Sequence, residues 1–383
     1  MTGSDQPPFR ADHVGSLLRP QNLIDARARL LGYNHESAAP PIMGGHDNAE
    51  LREIEDACIR DVVALQEGLG LKGVTDGEYR RTFFHLDFLE RIDGVVVGSG
   101  IPAKFQGGTK KVEFAPPKMS VGSKLKRTRE ISLEDFAYLK SATRNTAKLC
   151  IPSPTMLHFR GGRKAVDEAA YPDMTDFFTD LAGVYAEEIA ALGALGCTYL
   201  QLDDTNLAYL CDPAIQESTR QLGEDPAALP RQYAKLINDA ISGRPKDMRV
   251  TIHLCRGNFK SAWVAEGGYE PVAEVLFNEL DVDGYFLEYD DERSGDFAPL
   301  RFVPKGKSVV LGLVSSKLPT LESKDELKTR IDEAAKYMPM DQMALSPQCG
   351  FSSTVHGNDI TFEDEKAKIR LVVEMADEIW GSA

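Results

Sequence analysis

The sequence predicts an α/β chain folded as a (β/α)8 TIM barrel, with a β-hairpin excursion between the second and third strands. Three observations lead there. Eight short apolar runs rich in Val, Ile, Leu and Tyr recur along the 383 residues, most followed by a helical pattern. Strands that alternate with helices build a parallel sheet, and eight of them close into a barrel. No Gly-rich phosphate turn follows any early run, which disfavours an open doubly wound sheet. A single barrel can use a chain of this length without splitting, so residues 1–383 are expected to form one catalytic unit.

The runs, in order, are 11–15 (ADHVG), 72–76 (KGVTD), 148–153 (KLCIPS), 198–204 (TYLQLDD), 248–255 (MRVTIHLC), 283–290 (DGYFLEYD), 308–315 (SVVLGLVS) and 342–349 (QMALSPQC). The clearest helix is 50–69. There Leu51, Ile54, Cys58, Val62, Leu65 and Leu69 recur at spacings of three and four, and Gly70 supplies the stop. Further helical patterns cover 175–195, 228–242, 322–337 and 361–380. The stretch 94–130 breaks the rhythm: GVVVGSG, KVEFAPPKMSVGSK and the glycines between them are hairpin material. It concentrates Lys104, Lys110, Lys111, Lys118, Lys124, Lys126, Arg127 and Arg129 with few acids. A solvated hairpin or a subunit contact accounts for this cluster; an electrostatic landing for an anionic substrate tail is the sharper reading.

Bulk properties narrow the class of partner. A formal charge of −15 argues against nucleic acid or an anionic membrane surface and leaves small molecules. No apolar run reaches the ~18 residues of a membrane span, and the N-terminus lacks the basic and apolar regions of a signal peptide. Cys58, Cys150, Cys197, Cys211, Cys255 and Cys349 show no short regular framework, which suggests reduced thiols and a cytoplasmic location. A homo-oligomer is compatible with all of this.

Chemistry collects at the ends of the runs. His253 and Cys255 close the fifth, Glu288 lies in the sixth, and Cys349 closes the eighth. Two thiols, an imidazole and a carboxylate are ligands that zinc accepts at a tetrahedral site. A His-x-Cys pair alone could be a packed strand end; the shared placement of all four favours a metal. The other ends supply His13 and Ser16, Asp76 and Glu78, Phe159 and Arg160, Asp203 and Asp204, and Lys317. Convergence at the C-terminal ends of several strands is how barrel active sites are built. Each residue has a plainer alternative: Asp204 as a helix N-cap, Glu78 paired with Arg80 or Arg81, Lys317 solvated. Two thiolates and a carboxylate carry more negative charge than zinc can neutralise, so such an ion activates water poorly. It still binds a thiol as thiolate, which points to alkylation at sulfur. A closed site that staples three loops is the competing reading, and its usual ligands are Cys and His.

From HVGSLLRP near the start to LSPQCGFSST near the end, the chain resembles the C-terminal catalytic barrel of cobalamin-independent methionine synthase. It is more similar still to the stand-alone, single-barrel members of that superfamily, the methyltetrahydrofolate–homocysteine methyltransferase-like proteins. HLC, LEYD and PQCG are the specific segments; HVGS and LQLDD support them. The resemblance implies zinc on His253, Cys255, Glu288 and Cys349, and methyl transfer from 5-methyltetrahydrofolate to the thiol of homocysteine, giving methionine. It implies that Ser16 and Glu78 hold the homocysteine carboxylate and amino group, and that Asp203 pairs with the same ammonium. Phe159 stands where the family has a tryptophan near the pterin. The family stretch matching GLVSSKLP ends in a histidine assigned to proton handling, and Lys317 occupies that place here. Glu78, Asp203 and Lys317 are thus the catalytic candidates. Long methionine synthases have a second barrel that contributes to folate binding, which these residues do not contain. Epoxyalkane–thiol transferases share the barrel and ligand set, so another alkyl donor or acceptor thiol is the alternative, and a non-catalytic zinc module is a third.

Overall fold

The computed structural model describes residues 6–32, 48–98 and 117–383, with strand positions at 103–104 and 113–114. Two helices come first, α1 (Gln21–Leu31) and α2 (Ala49–Leu69), followed by β1 (Gly73–Val74) and the short α3 (Leu86–Leu89). The excursion carries β2 (Asp93–Gly98), β3 (Ala103–Lys104), β4 (Glu113–Phe114) and β5 (Lys118–Lys126). Then come α4 (Leu133–Ala142), β6 (Thr146–Pro152), α5 (Met174–Ala194), β7 (Tyr199–Asp204) and the single turn α6 (Asn206–Tyr209). Helices α7 (Pro213–Leu222) and α8 (Leu229–Ile241) precede β8 (Arg249–Leu254), α9 (Glu270–Asn278), β9 (Gly284–Glu288) and β10 (Ser308–Val314). The chain closes with α10 (Lys324–Ala334), β11 (Met343–Pro347) and α11 (Phe362–Trp380).

Strands β1, β6, β7, β8, β9, β10 and β11 hydrogen-bond side by side in that order, all parallel, in one curled sheet of seven. The gap between its two edges is filled by the chain around residues 10–17. On one side Asp12 N–H donates to Leu345 O at 3.0 Å and Leu345 N–H to Arg10 O at 2.9 Å. On the other, Thr75 Oγ1 donates to Gly15 O at 2.6 Å, and Leu17 N–H to Gly77 O at 3.1 Å. The result is the TIM-type barrel that the alternating runs predict. The expected first strand at 11–15 is reduced to one bridge, Ala11 with Leu345. Gly15 turns out of the strand at φ 137, a conformation open to glycine, and carries Ser16 toward the barrel mouth.

The helices start and stop on local chemistry. Asn48 caps α2 by accepting from Leu51 N–H at 2.9 Å, and Gly70 ends it in the left-handed conformation. Ser323 with Glu326, and Thr361 with Asp364, form capping boxes on α10 and α11. All residues of β7, β9 and β11 are buried, which explains why these strands appear as unbroken apolar runs. Inside the barrel, Lys148 is fully buried. Its Nζ lies 3.0 Å from Asp12, 4.0 Å from the centre of the Phe286 ring, and 4.8 Å from that of Tyr199, whose hydroxyl also donates to Asp12 at 2.8 Å.

The excursion is the antiparallel hairpin expected, with β2 against β5. For three of its cations, Lys124, Arg127 and Arg129, the reading as a landing for a substrate tail gives way to internal pairing. Lys124 lies 3.8 Å from both Asp176 and Asp180 of α5, and its Nζ is 4.0 Å from the Tyr171 ring centre. Arg127 Nε donates to the buried Glu188 at 2.7 Å, and Arg129 pairs with Asp93 at 3.6 Å. Lys124 and Arg127 thus dock the hairpin on α5, while Arg129 pairs within the excursion. The side chains of Lys104, Lys110 and Lys111 lie outside the described residues. No described helix is long and apolar enough to cross a membrane.

Candidate active site and metal centre

Three neighbouring strand ends bring four sequence-distant ligand residues together. His253 is in β8 and Cys255 just beyond it; Glu288 ends β9; Cys349 follows β11. One ligand atom of each lies within 4.8 Å of all the others, and all four residues are buried. The Cys255 and Cys349 sulfurs are 3.4 Å apart. Two sulfurs each ~2.3 Å from a tetrahedral ion stand roughly 3.8 Å apart, so the pair is already near that spacing. Both ring nitrogens of His253 and Glu288 Oε2 are buried with no well-formed hydrogen bond among the described residues, and His253 lies near enough to Cys349 for each to shift the other's pKa. Buried polar atoms are normally satisfied, so orphans converging on two thiols fit a metal ion. The hydrogen bond from Cys255 pushes the Cys349 thiol well down, and the same bond pushes Cys255 well up. A divalent cation would remove that competition for one proton.

Glu288 is aimed by its surroundings. Its Oε1 accepts from Arg256 N–H at 3.1 Å, and its own N–H donates to Tyr269 Oη at 2.9 Å. The Arg256 guanidinium donates to the same hydroxyl at 2.7 Å, and Arg293 approaches Oε2 at 3.7 Å. Such supporting contacts orient ligands at metal sites.

A second group lies beside the first: ligand atoms of Glu78, Cys150 and Asp203 also fall within 4.8 Å of one another. Glu78 sits on a tight turn with Gly77 at φ 67 and Glu78 itself at φ 59. A non-glycine residue there is strained, and such strain gathers at functional sites. Asp76 holds the turn by accepting from Glu78 N–H at 2.9 Å. Arg19 donates to the Glu78 carbonyl at 2.7 Å, and Arg81 lies 3.5 Å from its carboxylate. Burial, with Asp203 and Asp76 nearby, raises the Glu78 carboxyl to about 8 against the pull of Arg81. Burial likewise raises Asp203 to about 6, opposed by His253 and by the 2.7 Å bond from Gln201. Two acids strained toward neutrality form a natural seat for a cation. The backbone is pressed close here: a Cβ on Gly15 would meet Cys150 Sγ at 2.5 Å, and one on Gly350 would meet Ser16 Oγ at 1.9 Å.

Members of both groups, though not Glu288 or Cys150, line one cleft of about 710 Å3, counted with its mouth. Ser16, Glu78, Arg160, Asp203, Asp204, His253, Cys255 and Cys349 line it, as the strand-end reading expects. Asp204 also serves locally, accepting from Thr155 Oγ1 at 2.5 Å and Leu207 N–H at 2.8 Å. His13 is buried deeper, where burial and Lys148 lower its pKa to about 4.

Glu288 and Asp76 are buried and do not line the cleft, and two further placements differ from expectation. Phe159 is absent from the described cleft wall; its ring packs 6.1 Å from Tyr209 and 6.4 Å from Tyr233. Lys317 is also absent from that wall: it is buried without a hydrogen-bond partner, and its charge is felt by Asp290, Cys255 and Cys349. The aromatic wall comes instead from Phe83, Phe84, Tyr209 and Phe259, with His85 and Asn258 among them. Sequence reading missed these because they sit in loops or, for Tyr209, in the single turn α6, beyond any strand end. The run RTFFH, aromatic yet outside a periodic element, was the available signal.

Comparison with known proteins places this architecture. Residues 43–378 match the family described as the catalytic domain of the cobalamin-independent synthase. The Bacillus subtilis protein YxjH is 45% identical over 97% of this chain and 95% of its own length. A methionine synthase of Pyrococcus abyssi is 27% identical over 78% of this chain and 75% of its own. Among solved structures, a Listeria monocytogenes protein described as a candidate vitamin-B12-independent methionine synthase superposes with a TM-score of 0.75. It is 37% identical, with 98% of this chain and 99% of that one covered. A match of this extent, over the barrel and both residue groups at its mouth, shows that the chain belongs to the cobalamin-independent synthase catalytic-domain family.

Proposed function

We propose that this chain is a zinc-dependent S-methyltransferase that moves a methyl group from 5-methyltetrahydrofolate to the thiol of homocysteine, giving methionine. The observation that carries the reading is that three of the four clustered ligand residues, His253, Cys255 and Cys349, line one cleft with the carboxylate pair Glu78 and Asp203. Relatives named methionine synthase support the acceptor. His253, Cys255, Glu288 and Cys349 would hold the zinc. Bound there, it supplies a Lewis acid that keeps an acceptor thiol ionised near neutral pH.

The protein's own residues do the rest. Glu78 and Asp203 accept hydrogen bonds from the substrate ammonium, an interaction strengthened by burial. Ser16, beside the Gly350 backbone, faces the substrate carboxylate. Gripping both ends of the amino acid fixes where its sulfur lies, and positioning of this kind supplies much of a bimolecular rate enhancement. The methyl group leaves the donor nitrogen as the carbon–sulfur bond forms; the thiol proton is released, and the donor nitrogen takes one up. Phe83, Phe84, Tyr209 and Phe259 give a flat donor apolar faces to lie against. Lys317 acts through charge, offsetting the excess negative charge of three anionic ligands from behind the cleft.

Purified zinc-loaded protein, incubated with homocysteine and 5-methyltetrahydrofolate and read by mass spectrometry, should yield methionine. The internal pairing of Lys124, Arg127 and Arg129 favours, as a second reading, a smaller alkyl donor or another acceptor thiol. Alkylated product from such a donor, with none from methyl-folate, would decide for it.

A further inference from the structure

We infer that the outer part of the cleft is an anion subsite, in which Arg160 and His85 hold a carboxylate or other oxyanion of the alkyl donor. The word donor rests on the transfer reading above; the subsite itself does not. Arg160 lines the cleft, is exposed, and forms no ion pair among the described residues. The described cations of the hairpin with acidic neighbours are already paired, so Arg160 is the cation that this cleft offers a ligand. His85 lines the same cleft and is 3% exposed, yet neither ring nitrogen has a hydrogen-bond partner among the described residues. Such an orphan in a wall facing a ligand space calls for a ligand atom.

The loop holding His85 is built, not slack. The Asp87 carboxylate accepts from Thr82 N–H at 3.1 Å and Phe83 N–H at 3.0 Å. Phe84 N–H donates to Ser353 O at 3.2 Å, and Val355 N–H to Thr82 O at 2.9 Å, so this loop is laced to the one after β11. The Phe84 ring centre lies 4.6 Å from that of His85 and fixes its face. Burial, and then the Arg160 charge, hold the His85 pKa well below its usual value, so the ring is neutral and offers an N–H.

Charge decides which ligand suits. The inner end of the cleft is acidic, with Glu78 and Asp203 on its wall; the outer end has Arg160. The Tyr209 phenol feels Arg160 as well as Cys255 and Glu288, which marks the short path between the two ends. An anion is repelled from the inner end and paired at the outer one. A sulfonium or quaternary ammonium donor would meet Arg160 with like charge. The subsite therefore selects anionic donors over cationic ones.

The test uses the full zinc-loaded chain with 13C-labelled histidine, the His85 signal being identified by its loss in His85→Gln. Probes are 5-methyltetrahydrofolate, 5,6-dimethyltetrahydropterin (the ring without the acid tail), and succinate as a bare carboxylate. We expect the folate and succinate to move the His85 resonance. Arg160→Gln should weaken their binding by about ten- to hundredfold, the scale of a charge-assisted contact, and leave the pterin unaffected. Equal losses for ring and folate, or no loss, would overturn the subsite. If neither ring compound binds, succinate decides: a shift lost in Arg160→Gln upholds the subsite, and no shift ends it. Homocysteine affinity is measured separately and should be unchanged in Arg160→Gln, so failure of the acceptor assignment shows up independently.

Discussion

Replacing Asp203 by Asn tests how the amino acid is held. The change keeps the shape of the side chain and an oxygen able to accept the 2.7 Å bond from Gln201, and removes one buried charge. A charge-assisted hydrogen bond in such a setting contributes about 1.5–3 kcal/mol, so homocysteine affinity should fall by about ten- to hundredfold, with zinc retained. A pH signature goes with it. Without ligand the Glu78 carboxyl titrates at about 8, raised by burial and then by Asp203 and Asp76, so at pH 7 it is mostly protonated. A substrate ammonium displaces that proton. Affinity should therefore rise with pH between 6 and 8, approaching tenfold per unit at most. In Asp203→Asn the neighbouring charge is gone, the Glu78 pKa falls, and the rise should begin at lower pH. Calorimetry with methionine instead of homocysteine, in two buffers of different ionisation enthalpy, excludes the thiol proton from the count. Unchanged affinity in the variant, or an affinity flat from pH 6 to 8 in the wild type, would refute the clamp.

Cys349→Ser and Cys255→Ser should each lose most of the one zinc per chain expected by metal analysis, whereas Cys58→Ser, on the buried stripe of α2, should keep it. Glu365 tests the fold away from the site: burial raises its carboxyl to about 8 although it accepts from Leu18 N–H at 2.8 Å. Its folded pKa lies above its unfolded one, so the folded state binds the extra proton and stability falls as pH rises from about 4.5 to about 8. Glu365→Gln keeps an acceptor for Leu18; it should be more stable than the wild type by several kcal/mol at pH 9, at ~1.4 kcal/mol per pKa unit, and nearly equal to it at pH 5. Denaturant titrations that coincide at pH 9 would contradict this. Arg127→Ala strands the buried Glu188 and should cost about 3 kcal/mol, leaving the salt dependence of donor KM as in the wild type.

The group of His253, Cys255, Glu288 and Cys349 was legible because each lies in or at the end of an apolar run, and a barrel must gather strand ends at one mouth. The runs at 248–255 and 283–290 correspond to β8 and β9 within a few residues. Helix α2 was legible from its three-and-four stripe and Gly70. Other features depend on partners that the local sequence does not name. The hairpin cations looked free because Asp176, Asp180 and Glu188, which bind them, lie some 50 residues further on in α5. Phe159 follows a run as a cleft residue should, but Tyr209 and Tyr233 take its ring. Lys317 ends up buried and off the cleft wall, acting on Cys255, Cys349 and Asp290 through its charge. His85 enters the cleft from a loop bridged to Thr354 through Phe83, and Asn258 from one whose side-chain amide donates to Gly350 O at 2.8 Å; no periodicity encodes either.

The central claim is that an acceptor sulfur meets the group formed by His253, Cys255, Glu288 and Cys349. Absorption spectroscopy of the cobalt-substituted protein reads that encounter directly. The account predicts that homocysteine adds a saturable sulfur-to-cobalt charge-transfer band, and that Asp203→Asn needs about ten- to hundredfold more homocysteine to reach it. A spectrum unchanged at saturating homocysteine, as a closed structural site would give, would contradict it.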